Sequence, residues 1–353
     1  MLIPVPATSS QQHKCDKRLL ATLAITEVET HTIKKFFSKK TPGFPPRTAP
    51  IQLTNPVFYT GEALTKFTDH RNLPYVHNIT FKDDNNDAVI LQHFGPSSSA
   101  TANDMKASAV HRKELFELVT KKAQCKKLKA DTRQSKTQQV FPHYHFGAWY
   151  DCFKTNLTLT SETLQVGNEE GKQPVVDFCA WFKGFAKSYI QPLVDSKDSG
   201  LCDTFRAELV ACRDVHFPWA CKRVKGLNTV CHWLYATISP FQGFSNNSHV
   251  DNEDADVSIL VNLGQHAILE LCHYNVQLVL QPLDVVVFLS NSVYHHTLQH
   301  AAHVANPKSE VGDCMAITCF FWQGLVDEHE PTKKSIHYLA EEAEAAAKKQ
   351  DWK

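Results

Sequence analysis

The decisive stretch runs from Ser248-His249-Val250-Asp251 to Tyr294-His295-His296, with four aliphatic runs between them: Val257 to Leu263, Ala267 to Leu271, Val276 to Leu280 and Asp284 to Leu289. Each run is short, rich in Val, Ile and Leu, and ended by a turn signal such as Gly264-Gln265 or Gln281-Pro282; this predicts strands rather than helices. Alternate residues of an extended chain point the same way, so His249 and Asp251 share a side while Val250 faces away. A His-x-Asp pair followed by a distant histidine, spread over successive strands, is a pattern that sets two imidazoles and a carboxylate on one face of a metal ion. That ligand set with open positions opposite suits non-heme Fe(II) and oxygen activation. His295 and His296 are adjacent and must point to opposite faces, so only one can be the third ligand, and spacing leaves both open. The bland alternative is a metal-free barrel with incidental histidines.

Trp233 to about Gly324 resembles the double-stranded β-helix of the 2-oxoglutarate and Fe(II)-dependent dioxygenases, in the order His-x-Asp, strands, a turn at Pro282-Leu283-Asp284, Val286-Val-Phe, then His. Within that superfamily, Phe288-Leu-Ser-Asn-Ser-Val-Tyr-His-His and Ile317-Thr-Cys-Phe-Phe-Trp-Gln-Gly-Leu are similar to the TET/JBP-like branch, which oxidises nucleic-acid bases. The resemblance implies an α+β protein with a jelly-roll or cupin-like barrel. It also implies a metal site of His249, Asp251 and His295, the last chosen by counting from Val286-Val-Phe. The activity implied is hydroxylation of a methylated base of the 5-methylcytosine type, with 2-oxoglutarate as cosubstrate.

One departure bears on the cosubstrate. The superfamily holds the distal carboxylate of 2-oxoglutarate with an arginine on the strand after the last histidine, but this chain has Asp313 to Thr318 there and no arginine beyond Arg223. A bidentate, planar donor matched to a carboxylate is therefore missing. Either another cation substitutes, with Lys308, Arg223, His300 and His303 as the candidates, or the cosubstrate is a different one; Thr318 and Tyr235 are further cofactor-side candidates, and Asn247 and Ser248 flank the ligands. The opposing reading is a catalytically silent binding module that has lost the clamp, or an oxygenase acting on something other than nucleic acid.

Around this core, 353 residues with 42% apolar composition suffice for a large core in one or two domains. The balance of 37 basic and 37 acidic residues leaves partner choice to local charge. Ten basic residues face three acidic ones between Lys106 and Lys136. Lys121, Lys122, Lys126, Lys127, Lys129 and Arg133 are accordingly candidates for phosphate contacts with DNA or RNA, or else a solvated face or import signal. They continue a helix expected over 109–129 with an apolar stripe of Val110, Leu115, Leu118 and Val119. A second apolar helix is expected over 175–190, a third over 201–214 and a fourth over 335–349, while 51–103 reads as irregular. The aromatic cluster Phe141 to Tyr150 is expected in the core.

The expected organisation is a flexible arm over 1–50, a helical or irregular support region over 51–229, the barrel over 230–325 and a C-terminal helix over 326–353. Inside the arm, Thr30-His-Thr-Ile33-Lys-Lys-Phe36-Phe37 resembles the sliding-clamp interaction box, in which one helical turn presents Ile33, Phe36 and Phe37 as a plug. The alternative is that these side chains pack on the protein's own domain. Eleven cysteines without Cys-x-x-Cys spacing, and no basic-then-apolar leader, point to a reducing nuclear or cytoplasmic setting. No apolar run reaches the roughly 20 residues of a membrane span.

Overall fold

The computed structural model describes residues 29–33, 57–59, 79–83, 88–95, 99–122, 143–151, 156–160, 163, 169–195, 232, 234–242, 248–255, 257–264, 266–274, 276–299 and 315–324. The protein is a mixed α+β fold in which two mostly antiparallel sheets face each other as a jelly-roll-like sandwich. The strands are β1 (Glu29–Ile33), β2 (Val57–Tyr59), β3 (Ile79–Asp83), β4 (Val89–Phe94), β5 (Phe146–Asp151), β6 (Asn156–Leu159), β7 (Thr237–Gln242), β8 (Ser258–Asn262), β9 (Ala267–Leu271), β10 (Val276–Leu280), β11 (Val285–Phe288), β12 (His295–Gln299) and β13 (Met315–Phe320). The nine-stranded sheet has the order β1-β3-β4-β11-β8-β13-β7-β5-β6, and the four-stranded sheet β12-β9-β10-β2. From β7 onward the chain passes back and forth between the sheets: β8 and β11 join the large one, β9, β10 and β12 the small one, and β13 returns to the large one between β7 and β8.

Alternation decides what each strand buries. Leu260, Val286, Phe288 and Ala316 of the large sheet share a cluster with Leu269, Leu271, Leu278 and Leu280 of the small sheet, which fills the space between the two. The residues between them in sequence, Ile259, Val261, Val285, Val287, Ile317 and Cys319, belong to a second cluster on the other face. That face is covered by α1 (Ser99–Lys122) and α2 (Glu169–Phe185), through Phe116 and Val119 of the first and Phe178 and Phe182 of the second. The central strands are buried on both faces, and so their sequence shows continuous apolar runs rather than alternation.

Several expectations are corrected. Three strands, β2, β3 and β4, lie in the stretch read as irregular, because each is a run of at most six residues, too short to stand out by itself. On α1 the buried stripe is Met105, Ala109, Phe116 and Val119, at helical spacing, while Val110 and Leu118 are 61% and 42% exposed. In the clamp-box segment, Glu29–Ile33 is a strand paired in parallel with Ile79–Asp83. Its backbone is committed to that ladder, so the helical turn the box requires does not form at Ile33; Phe36 and Phe37 lie outside the described residues. The helices expected over 201–214 and 335–349 also lie outside them. The 175–190 helix is found over 169–185, continued by a π-helical turn at Ala186–Ile190.

The turn into β11 carries one strained residue. The amide of Asp284 donates to the carbonyl of Gln281 at 3.1 Å, and Leu283 sits between them with φ of 79°. Proline at the second position and positive φ at the third make this a type II-like turn, where glycine is usual. Leu283 is nonetheless buried among the helix-side core residues, and that burial offsets a left-handed conformation costing roughly 1–2 kcal/mol.

Candidate metal centre

His249 and His295 face each other as an antiparallel bridge, each amide donating to the other's carbonyl at 3.0 and 2.9 Å. A hydrogen-bonded pair of this kind projects both side chains to one side, and the imidazole centroids are 4.5 Å apart. Asp251, two residues along, is fixed by its amide's bond to the Ser290 carbonyl at 3.0 Å. Its carboxylate oxygens lie 3.8 Å from His249 Nε2 and 3.6 Å from His295 Nε2. These distances exceed hydrogen-bond length. They approach the separation of about 3 Å expected between neighbouring ligands of one ion held by bonds of about 2.1 Å.

The protonation pattern agrees with that role. His295 Nδ1 lies 2.9 Å from the Val293 carbonyl, an acceptor only, so Nδ1 carries the proton and the Nε2 lone pair points toward Asp251. Phe288, an interior residue of β11, meets the His295 ring edge to face at 4.9 Å and limits its rotation. Side-chain exposures of 15%, 16% and 8% for His249, Asp251 and His295 place the group at a rim that ligands can reach.

Residues missed by sequence reasoning brace the loop. Asp254 Oδ2 accepts from Ser258 Oγ at 2.9 Å and Ser290 Oγ at 3.3 Å, and the Asp254 amide donates to the Asp251 carbonyl at 2.9 Å. The carbonyl that holds Asp251 and the hydroxyl that holds Asp254 thus belong to one residue, Ser290. The one available signal was the second aspartate in His249-Val-Asp-Asn-Glu-Asp254.

His296 points the other way. In β12, His295 pairs with Leu271, an interior residue, whereas His296 pairs with Glu270 on the opposite face of the small sheet. His296 Nε2 contacts Glu270 Oε2 at 2.7 Å, and its Nδ1 contacts Ser248 Oγ at 2.9 Å and Cys272 Sγ at 3.3 Å. Glu270, Cys272 and His296 form a second cluster whose ligand-type atoms lie within 4.8 Å of one another. There, unlike the first cluster, direct hydrogen bonds explain the distances, with the imidazole standing between the carboxylate and the thiol. Burial, the Ser248 hydroxyl acting against it and the Glu270 charge with it, pushes the Cys272 thiol up to about 12, so it stays protonated.

The other candidates separate as follows. Thr318 lies on the interior-facing side of β13, in register with Ser239 of β7 and Leu260 of β8. Ser239 Oγ lies 2.6 Å from His143 Nε2, and the His143 ring is 4.8 Å from that of His145. Tyr235 instead packs on the helix side, its ring 5.6 Å from that of Phe182; it precedes β7, in an isolated bridge with His232 followed by a bend at Ala236, so the alternation of β7 does not extend to it. Arg112 of α1 reaches the start of β13, donating to the Leu263 carbonyl at 3.2 Å and to Met315 Sδ, and it too is on the helix side. Lys121 and Lys122 fall in the last turn of α1; Lys126, Lys127, Lys129, Arg133, Arg223, Asn247, His300, His303 and Lys308 lie outside the described residues. No helix among the described residues is long and apolar enough to cross a membrane.

No family model matches the chain, and no curated protein matches it in sequence. Among solved structures it is similar to NgTET1 in complex with 5mC DNA, at 14% identity and a TM-score of 0.46, over 82% of this chain and 92% of that one.

Proposed function

We propose that this protein is an Fe(II)-dependent dioxygenase whose iron is held by His249, Asp251 and His295, on a double-stranded β-helix over roughly 230–325. The observation that carries the reading is the non-hydrogen-bonding separation of 3.6–3.8 Å between the Asp251 oxygens and two imidazole nitrogens, at a partly open rim. Two imidazoles and one carboxylate on one side fit Fe(II) and leave its opposite positions for other ligands. Bound there, the metal supplies O₂ activation for hydroxylation of a C–H bond. The chain's own part is to orient: Val293 fixes the His295 tautomer, Phe288 limits its ring, and Ser290 and Asp254 hold the backbone of Asp251.

The substrate reading, a methylated nucleic-acid base of the 5-methylcytosine type, draws on the TET/JBP-like phrases around Phe288 and Ile317 and on the basic run that begins at the end of α1. A base must leave its stack to reach such a rim. Replacing Lys121, Lys122, Lys126 and Lys127 with glutamine is expected to weaken binding to all sequences alike. The log–log salt slope, measured by fluorescence anisotropy, should flatten by about 0.9 per lost duplex contact; an unchanged slope returns the run to solvated surface.

A second reading is favoured by one observation: the interior-facing residues of β13 are Ala316, Thr318 and Phe320, with no cation among them. A silent binding module would keep the barrel and lose 2-oxoglutarate. Anaerobic Fe(II) titration followed by calorimetry with 2-oxoglutarate separates the two. Micromolar 2-oxoglutarate binding supports the oxygenase; iron binding without cosubstrate binding supports the silent module; no iron binding removes both the metal centre and the oxygenase.

A further inference from the structure

We propose that Ser248, Glu270 and His296 act as a register lock that decides which of two adjacent histidines enters the metal centre. The functional sense of the lock rests on the iron reading above; its structural sense does not.

Two identical residues in succession pose a physical problem. In a strand, a shift by one residue moves every side chain to the opposite face. Were β12 to slide so that His296 took the place of His295, the interior would still receive an imidazole, and the metal centre alone would not oppose the slip. The opposite face does oppose it. There, Glu270 is 3% exposed, Ser248 1% and Cys272 0%, and His296 is the partner of all three. The slipped strand would bring Thr297 into that place, too short to reach the buried Glu270 carboxylate and Ser248 hydroxyl together. Glu270 would keep Gln277 on one oxygen but lose the partner of the other, and leaving a buried carboxylate oxygen unpaired is costly. The reverse slip would satisfy Glu270 with His295 but send Tyr294 to the interior. Only the native register supplies a histidine to both faces.

The lock also ties the ligand-bearing segments together directly. Ser248 precedes His249, and His296 follows His295. The Ser248–His296 side-chain contact therefore crosslinks, on one face, the same two segments whose backbones exchange hydrogen bonds at His249 and His295. Glu270 is in turn held by Gln277, which donates to its other oxygen from the neighbouring strand β10. The chain of contacts Gln277, Glu270, His296, Ser248 thus crosses the small sheet strand by strand to the metal-bearing loop. Ser248, Glu270 and His296 are positioning residues, since none faces the interior.

The test uses the full chain with Fe(II) as probe, under anaerobic conditions, and amide hydrogen exchange at His249 and His295 without metal. Glu270→Ala and Ser248→Ala are expected to weaken Fe(II) binding about 10-fold, the low end of the range for partners of metal ligands, since both act through His296 rather than on a ligand. Both should also speed exchange at the His249 and His295 amides, while the Ile259 and Val261 amides in β8 keep their protection. Glu270→Gln, whose amide oxygen still accepts from His296 Nε2, should stay within a few-fold of wild type; a general packing defect would not be rescued this way. Unchanged iron affinity and unchanged exchange in both alanine variants would overturn the proposal. Should Glu270→Ala fail to fold, Ser248→Ala and Glu270→Gln carry the same decision. Should the wild type bind no Fe(II), the iron reading fails by itself, and the exchange rates still accept or reject the lock.

Discussion

Alanine at His249, Asp251 or His295 is expected to lower Fe(II) affinity by at least about a hundredfold, since even the outer partners of metal ligands are worth 10- to 100-fold. The measurement is anaerobic titration together with pulsed EPR on a paramagnetic metal derivative, which counts coordinated imidazoles. Wild type should show two. His295→Ala and His249→Ala should each show one in whatever complex survives. From sequence spacing, His296→Ala should leave the metal untouched. The contacts with Glu270 and Ser248 change that expectation: affinity should fall, yet two imidazoles should still be counted. Loss of one imidazole in His296→Ala with none lost in His295→Ala would show that β12 presents the other face.

The second large effect is at Gly147. Its φ is +141°, a region L side chains rarely adopt, and a Cβ there would meet the Ala236 carbonyl oxygen and stand 2.8 Å from Thr237 Cα. Both neighbours are backbone of the segment leading into β7, and neither can rotate away. Gly147→Ala should therefore cost more than about 4 kcal/mol, at the top of the range for single substitutions, read from denaturant unfolding. Gly184 in α2 is the control, since a Cβ there meets nothing within 4 Å. Gly184→Ala should be neutral or stabilise by up to about 1 kcal/mol. Equal effects at the two positions would mean that the β5–β7 contact is looser than described.

Legibility in the sequence followed the range of the forces involved. The β8 to β11 strands were readable because each is a short, mostly aliphatic run, broken within β9 and β10 only by Glu270 and Gln277, and ended by turn signals. The grouping of His249 with Asp251 was readable because period-two alternation is local. Whether His295 or His296 joins them was not, because the answer depends on Ser248, Glu270 and Cys272, which approach only after the sheets pair. Tyr144 and Phe146 were readable as core, and they pack in the helix-side cluster. By contrast, the clamp-box likeness at Ile33 was a local pattern overridden by a distant partner, β3, whose pairing holds that segment extended. The stripe on α1 was misplaced at Val110 and Leu118 for a related cause: helical period gives the spacing of a face, and only tertiary packing says which of two overlapping faces is covered.

The position of β13 has a consequence for the order in which the molecule can be completed. It lies between β7 and β8, and among the described residues no other strand joins them. Without it, β5, β6 and β7 would pair as one piece of sheet, and β8, β11, β4, β3 and β1 as another, each with a bare edge of main-chain donors and acceptors. Such edges template pairing with other chains, and contacts this distant in sequence close slowly. The His249–His295 bridge lies wholly upstream of β13, so the two histidine segments can meet before the large sheet is whole. Those segments can therefore meet while two sheet edges still lack their last strand, and in a chain not yet complete through β13 these edges are where holdase chaperones would act.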